Sequence, residues 1–512
     1  MRWEIDWLEN RARITPDAQA VIDAETNTFW NYEQLNNRAI SIAQWLKSQG
    51  VKKGDRIALL APNHISYFDL IFASQKIGAI FVPLNWRLSI NELNDILLDC
   101  SPVIIGIHVN LKDHFSPLCA HSSLIFSVGD EEFESFTSNA GDCNHHYDED
   151  INMDDPLMMI YTGGTTGKPK GVVLSNQSIL WNGMNTVLSW NLSSKDVTLT
   201  NIPMFHTGGL NALSIPLLLM GGTVVIADQY DPKKAIQYLK QFKCTIVLFI
   251  PTMYHMMIHT EEFSQSDFPN MKVFLSGGAP CPLEIYEAFW SKGLQFKEGY
   301  GLTEAGPNNF YIDPNKTHLK KGSVGKPMLL NTVKIMKNNL QEAAYDEVGE
   351  LWIKGNHCFS HYWKNGEATS STFYDGWLCT GDLAKKDSDG YFYIVGRKKD
   401  MIITGGENVY PLEVEHWLSS HPLIDEVSVI GLPDEKWGEI VTAFIVLKTT
   451  SLIELDELKE YCSYKLGKYK IPKKFIFMDS LPKTHVGKMD KRALKEIGIH
   501  PSHSKKVNTN KD

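Results

Sequence analysis

Residues Thr162 to Lys170 read TGGTTGKPK, and Gly171 follows them. Gly163 and Gly164 let the backbone turn sharply, while Thr162, Thr165, Thr166 and Lys168 offer hydroxyl and ammonium donors within a few residues. Such a loop has the chemistry of a phosphate cradle. It departs from the GxxxxGK[ST] nucleotide loop, which needs glycine where Thr162 stands and Ser or Thr where Pro169 stands. Short apolar runs flank it, LMMIY before and GVVLS after, so the pattern predicts strand, glycine loop, strand. A plain hairpin with a glycine-rich turn also fits these residues, and companions elsewhere in the chain decide between the two.

On the N-terminal side of the loop the chain alternates strand and helix patterns. Leu35, Ala39, Ile42, Ala43 and Leu46 recur at helical spacing between Tyr32 and Ser48, with Gly50 at the stop. RIALL, IFVPL and PVIIGIHV read as strands, INELNDILLDC as a helix, and Asn63 as the cap of a helix reaching Lys76. Residues 127–154 are acidic and polar and read as an exposed connection, in which His145 and His146 are solvated rather than metal ligands. A second alternating run starts at the loop itself, with strands near LMMIY, GVVLS, VTLTNI, GTVVIA, CTIVLFI, KVFLS and LQFKEGY. The expected fold is α/β: two doubly wound lobes with ligands in the cleft between their loops, then a small β subdomain from about Gly322 and a C-terminal α+β domain. Residues 499–512 are polar and read as a disordered tail.

Bulk composition narrows the function. At 512 residues the chain needs at least two domains, and 43% hydrophobic with 21% charged residues is ordinary for a globular protein. A formal charge of −10 argues against nucleic-acid binding. Cys100, Cys119, Cys143, Cys244, Cys281, Cys358, Cys379 and Cys462 form no CxxC pair, which suits free thiols in a reducing cytoplasm. The N-terminus lacks a signal-peptide core, and no apolar run reaches the roughly 18 residues of a membrane span. Peripheral membrane contact and a homodimer are left open.

Glycine doublets recur in TGGTTGKPKG, MFHTGGL, SGGAP and ITGGENVYP, and with EGYGLTEAG, YDGWLCTGDLA and GRKKDM these strings form an ordered set. In that order they resemble the adenylate-forming enzymes, in their acyl-CoA synthetase branch, and most of all compact bacterial fatty-acid–CoA ligases. The resemblance runs from the first helix to about Gly498. It implies ATP, Mg2+ and coenzyme A as cofactors and a small-molecule carboxylic acid as substrate. The acid attacks ATP to give acyl-AMP and pyrophosphate, and a thiol then takes the acyl group.

The same resemblance assigns residues. Thr162, Gly163, Gly164, Thr165, Thr166, Gly167, Lys168 and Lys170 are implied to wrap the β- and γ-phosphates, although the family usually has serine at the position of Gly163. Gly277, Gly278 and Ala279 line the nucleotide and acyl cleft, and Tyr300 with Gly301 faces adenine. Thr303 is implied to reach the α-phosphate, Glu304 to hold magnesium, a metal that prefers hard oxygen ligands, and Asp382 and Arg397 to reach the ribose. Lys488 is the implied catalytic cation of the first half-reaction, a lysine between two anions that stabilises charge developing in the transition state. Gly405, Gly406 and Trp437 are implied to line a pantetheine tunnel, Lys399 to be the hinge, and Arg87 to contact coenzyme A phosphates. His206 is implied to gate the acyl cleft, and an imidazole in place of the aspartate of amino-acid-activating relatives argues for a simple acid. The expected division is 1–396 for ATP and acyl binding, 397–399 as hinge and 400–498 as a mobile domain. Apolar walls favour a medium- to long-chain fatty acid. An aryl acid, its ring substituent met by Asn308 and Asn309, and loading of a carrier protein are the alternatives. His255 and His259 lie four apart on a helix but lack the glutamate of HExxH, and they read as packing.

Overall fold

The computed structural model describes residues 5–115, 118, 124–138, 150–163, 169–448, 453–484 and 489–499. The chain forms two compact units, one of residues 1–280, 288–333 and 353–379, the other of 281–287, 334–352 and 380–512.

The first unit holds two seven-stranded sheets. Its strands are β1 (Gln19–Asp23), β2 (Phe29–Asn31), β3 (Arg56–Leu60), β4 (Ile80–Leu84), β5 (Ile104–His108), β6 (Leu124–Val128), β7 (Pro156–Thr162), β8 (Lys170–Ser175), β9 (Val197–Thr200), β10 (Thr223–Ile226), β11 (Ile246–Phe249), β12 (Val273–Ser276) and β13 (Phe296–Glu298). One sheet runs β8-β7-β4-β3-β5-β6, with the short strand His361–Tyr362 outside β8. Its inner neighbours are parallel, while β7 and β8 pair antiparallel. The other runs β13-β12-β11-β9-β10-β1-β2 and is parallel except at β1 and β2.

The predicted strand and helix rhythm is therefore present, with one redistribution. LMMIY and GVVLS, read as opening the second lobe, belong to the first sheet, where Met158 on β7 is the register partner of Phe81 on β4. The second sheet instead takes β1 and β2 from the N-terminus, Val21 pairing Val224. Both arrangements join apolar runs far apart in sequence, and strand patterning carries no record of which partner such a run will choose.

Two further expectations change. The stretch 127–154 is not all exposed connection, because Glu131–Ser138 is a helix with Phe133 and Thr137 buried and the Asp130 carboxylate accepting from Phe133 N. Its Glu134 reaches the buried Arg38 guanidinium, which also forks onto Asp69. His145 and His146 lie outside the described residues. Asn63 caps no helix: Ser66–Ile77 begins after Ile65 without a side-chain cap. Asn63 Nδ2 instead donates to the carbonyls of Thr200, Ile202 and Ala227, and Oδ1 accepts from Met204 N. One amide thus joins the start of one sheet's helix to strand ends of the other.

The second unit carries the antiparallel hairpin Ile424–Asp434 and Gly438–Leu447, with Lys474–Phe477 parallel to the latter. Val429, Val441, Ala443 and Ile445 face Val414, Leu418 and Leu458 on one side, while Ile430, Leu432 and Phe444 face Leu481 and Leu494 on the other. Side chains that alternate faces along each strand bury both surfaces of this sheet. Among the described residues no helix is long and apolar enough to cross a membrane. Cys100, Cys244, Cys281 and Cys462 are buried free thiols.

Candidate active site

The hairpin of β7 and β8 pairs up to Thr162 opposite Lys170, so the strand, glycine loop, strand reading holds. Gly164, Thr165, Thr166, Gly167 and Lys168 lie outside the described residues, as does Lys488. The base of the hairpin is anchored: Tyr161 OH donates to Asp99 Oδ2 at 2.5 Å, and the Asp99 carbonyl accepts from Trp363 Nε1. Lys170 sends its Nζ to 5.2 Å from the centre of the Tyr362 ring, within cation–π range.

The remaining residues of this unit gather at the carboxyl ends of neighbouring parallel strands, where open α/β sheets bind ligands. His206 follows β9, Gly277, Gly278 and Ala279 follow β12, and Tyr300 and Gly301 follow β13. Backbone bonds stitch these ends together, Gly277 N donating to Phe249 O and Gly299 N to Ser276 O. His206 opens the short helix Thr207–Leu210 with its ring edge-on to Phe205 at 4.5 Å. Near it Thr198, Leu199, Thr200, Ile202, Gly208, Gly209, Leu213, Ser214 and Leu248 line a small pocket.

The loop from Tyr300 to Asn309 closes on itself. Leu302 N donates to Gly306 O, and Asn309 N to Tyr300 O. A Cβ on Gly301 would lie 2.2 Å from the carbonyl carbon of Pro307, so only glycine fits there. Asn309, fully buried, donates from Nδ2 to the carbonyls of Ala305 and Gly306, and its Oδ1 accepts from His357 Nε2 at 2.9 Å. Burial lowers His357 to about 4, so it is neutral at physiological pH. Asn308 Nδ2 donates to Thr186 Oγ1 and Ala212 O. Both asparagines, expected to be available to a polar ring substituent, are thus engaged inside the fold. Local sequence shows only that they are adjacent; their partners stand up to 122 residues away.

Thr303, Glu304 and Ala305 form one 3-10 turn within this loop. The Glu304 carbonyl accepts from Phe359 N at 2.7 Å, and its Oε1 accepts from Tyr362 OH at 2.8 Å. Magnesium bound with a nucleotide takes one or two carboxylates, with phosphates and water completing its octahedron. Glu304, a single half-buried carboxylate at a strand end, fits that requirement. Among the described residues there is no cluster of three or more metal-ligating side chains, and His259, exposed at the end of its helix, has Nδ1 bonded to the His255 carbonyl. Arg87 lies over Trp86 and Phe205, at 5.3 and 5.8 Å.

In the second unit Asp382 and Arg397 are cross-strand partners, and Arg397 Nε stands 3.2 Å from Asp382 Oδ1. Asp382 is nearly buried while Arg397 is half exposed, so the pair presents a carboxylate oriented by a cation at the surface. Lys399 sits in the turn Lys398–Asp400, its pKa lowered by burial and by Arg397 and Arg492 beyond the compensation from Asp400 and Asp382. Gly405 and Gly406 have φ of 62° and 86°, and a Cβ on Gly405 would meet the Trp437 ring at 2.8 Å. Gly405 N also donates to Trp437 O. The doublet and the indole therefore form one packed surface, with Lys473 Nζ 3.5 Å from the indole centre.

Residues 8–363 match the model of the AMP-binding enzyme family, and residues 413–488 match that of the AMP-binding enzyme C-terminal domain. This chain belongs to the AMP-binding enzyme family. Among members, the feruloyl-CoA synthase of Amycolatopsis sp is 35% identical, covering 94% of this chain and 96% of that one. The long-chain-fatty-acid–CoA ligase of Mycobacterium tuberculosis is 34% identical over 96% of this chain and 98% of its own. The o-succinylbenzoate coenzyme A synthetase of Bacillus subtilis, solved with ATP and magnesium ion, has a TM-score of 0.85 at 29% identity and covers 96% of this chain and 99% of its own. The family and the fold of this chain are thus those of an AMP-binding enzyme. What motif reading missed in the site is the Tyr362 to Glu304 bond and the His357 to Asn309 clamp, for which no local pattern exists.

Proposed function

We propose that this AMP-binding enzyme is an ATP-dependent acyl-CoA synthetase acting on a medium- to long-chain fatty acid. The observation that carries the choice of acid is the state of Asn308 and Asn309: both spend their amide N–H donors within the fold, and Asn309 Oδ1 accepts from His357 as well, which leaves few polar groups there for a ring substituent. Leu199, Ile202, Leu213 and Leu248, which come together near His206, make the strand ends apolar and so favour an apolar acyl group. An aryl acid is the second reading, favoured by the likeness to a feruloyl-CoA synthase.

In the first half-reaction a carboxylate oxygen attacks the α-phosphorus, the bond to the bridging oxygen breaks, and pyrophosphate departs. Two anions meet in this step, so a cation between them lowers the barrier, and that part is assigned to Lys488. Thr303 donates its hydroxyl to the α-phosphate, and the hairpin from Thr162 to Lys170 holds the outer phosphates. When bound, magnesium neutralises phosphate charge, and Glu304 is the residue that would hold it. Tyr300 faces the base, and Asp382, oriented by Arg397, accepts from the ribose hydroxyls. In the second half-reaction the thiol sulfur of coenzyme A attacks the acyl carbon and AMP leaves. Trp437 with Gly405 and Gly406 guides the pantetheine arm, after residues 400–498 turn about Lys399.

The test is ATP-to-pyrophosphate exchange across fatty, aryl and amino acids, followed by addition of free coenzyme A. Fastest exchange with a fatty acid of eight or more carbons, and thioester on adding the thiol, is the expected result. Fastest exchange with a cinnamate-like acid overturns the fatty-acid reading, and exchange without thioester turns the enzyme toward a carrier protein. Lys488→Ala is expected to lose exchange by roughly 100-fold or more while still converting supplied acyl-AMP to thioester.

A further inference from the structure

Tyr362 lies 58 residues beyond Glu304 in the chain, on the short strand that edges the first sheet next to β8. Two contacts and burial fix it. Its backbone N donates to Thr369 Oγ1 at 2.9 Å, its ring stands edge-on to Phe359 at 4.8 Å, and only 9% of the residue is exposed. Phe359, three residues earlier, donates its own N to the Glu304 carbonyl. One segment thus grips Glu304 at both its backbone and its carboxylate.

The chemistry of that grip is directional. A phenol is a single donor, so it occupies Oε1 of Glu304 and leaves Oε2, which accepts no hydrogen bond among the described residues. The other side of the same tyrosine faces Lys170, whose ammonium sits 5.2 Å from the ring centre at the end of the phosphate hairpin. A carboxylate for a cation and an ammonium for an anion are therefore held by one rigid side chain.

We infer that Tyr362 is a positioning residue of the nucleotide site, its phenol orienting Glu304 toward the metal and its ring setting Lys170 toward the phosphates. The inference rests on the reading of Glu304 and Lys170 given above. Removing the hydroxyl frees the carboxylate to rotate, and the metal then binds a less organised ligand. Removing the ring as well releases the ammonium.

The experiment compares Tyr362→Phe, Tyr362→Leu and Glu304→Gln with the parent in two assays. Magnesium titrations follow exchange at saturating ATP, and calorimetry follows binding of a non-hydrolysable ATP analogue with and without magnesium. Tyr362→Phe is expected to raise half-saturating magnesium about tenfold, the scale of one hydrogen bond to a charged group. Its maximal rate should return at high magnesium, and its analogue affinity without metal should match the parent. Tyr362→Leu should in addition weaken metal-free analogue binding severalfold. If Glu304→Gln raises the magnesium requirement and Tyr362→Phe does not, the positioning role is overturned and the metal role of Glu304 stands. An unchanged requirement in Glu304→Gln overturns both. A loss in Tyr362→Phe that magnesium does not restore identifies a purely structural tyrosine and also overturns the inference.

Discussion

Gly301 and Gly163 each follow a strand and each lie in a stretch assigned to the nucleotide, yet their surroundings differ completely. A Cβ at Gly301 would overlap the Pro307 carbonyl, with the Gly306 oxygen 2.5 Å away, all backbone that has nowhere to move. Among the described residues a Cβ at Gly163 would meet nothing within 4 Å, and its φ lies outside the left-handed region. The first glycine is required by the path of the chain. The second is a choice about which groups the loop offers. Two glycines that look alike in sequence are thus separated by packing, and substitutions at each measure the difference.

The largest effect is expected at Gly301. Alanine there must push apart a loop held by the Leu302 to Gly306 and Asn309 to Tyr300 bonds. Overpacking of this kind costs about 3 kcal/mol, and it displaces Tyr300, Thr303 and Glu304 together. Gly301→Ala should lower the melting temperature by several degrees and abolish measurable pyrophosphate exchange. Retention of parent exchange would mean that the loop has room it does not show.

How far these features are legible in sequence depends on their range. The helix Tyr32–Ser48 and the strands Arg56–Leu60 and Ile80–Leu84 coincide with the stretches their patterns predict. Apolar periodicity and a capping box such as Asn31 with Gln34 are written within a few residues. The glycine strings likewise locate the strand ends that carry ligand chemistry. Sheet membership is different, because whether LMMIY joins β4 or opens a new sheet is settled by contacts more than 70 residues away. Asn63, Asn309 and Tyr362 are single polar residues with partners 137, 48 and 58 residues away, so no window of sequence distinguishes them from a cap, a substrate contact or a surface tyrosine.

A smaller effect, set by pH, probes what holds the Gly301 loop from outside. His357 is neutral in the folded chain with its pKa lowered to about 4 by burial, while in the unfolded chain it titrates near 6.5. The unfolded state therefore binds the extra proton between these values. The contribution to stability is full above about pH 6.5 and is lost as pH falls toward about 4, amounting to about 3 kcal/mol across the window. His357→Gln keeps a donor for Asn309 Oδ1 but has no proton to gain. Its melting temperature should decline less steeply than the parent's between pH 6.5 and 4, and parallel declines would show that the imidazole is not excluded from water as the fold implies.

Gly163 should give the smallest change, and one of opposite sign. The family resemblance places serine at this position, and a hydroxymethyl group there enters without displacing any of the described residues. Gly163→Ser adds one hydroxyl donor next to Thr162 and also reduces the freedom of the unfolded chain, so stability should hold or rise by about 0.5 kcal/mol. If the hydroxyl reaches a phosphate oxygen, one further hydrogen bond to a charged group forms. The KM for ATP should then fall by roughly threefold to tenfold with the KM for the carboxylic acid unchanged. A lowered KM for ATP would establish that the glycine leaves the phosphate grip weaker than this fold permits. An unchanged KM, with the variant as stable as the parent, would show that the threonines, Lys170 and the backbone amides already saturate the outer phosphates, and that position 163 is open in chemistry as well as in space.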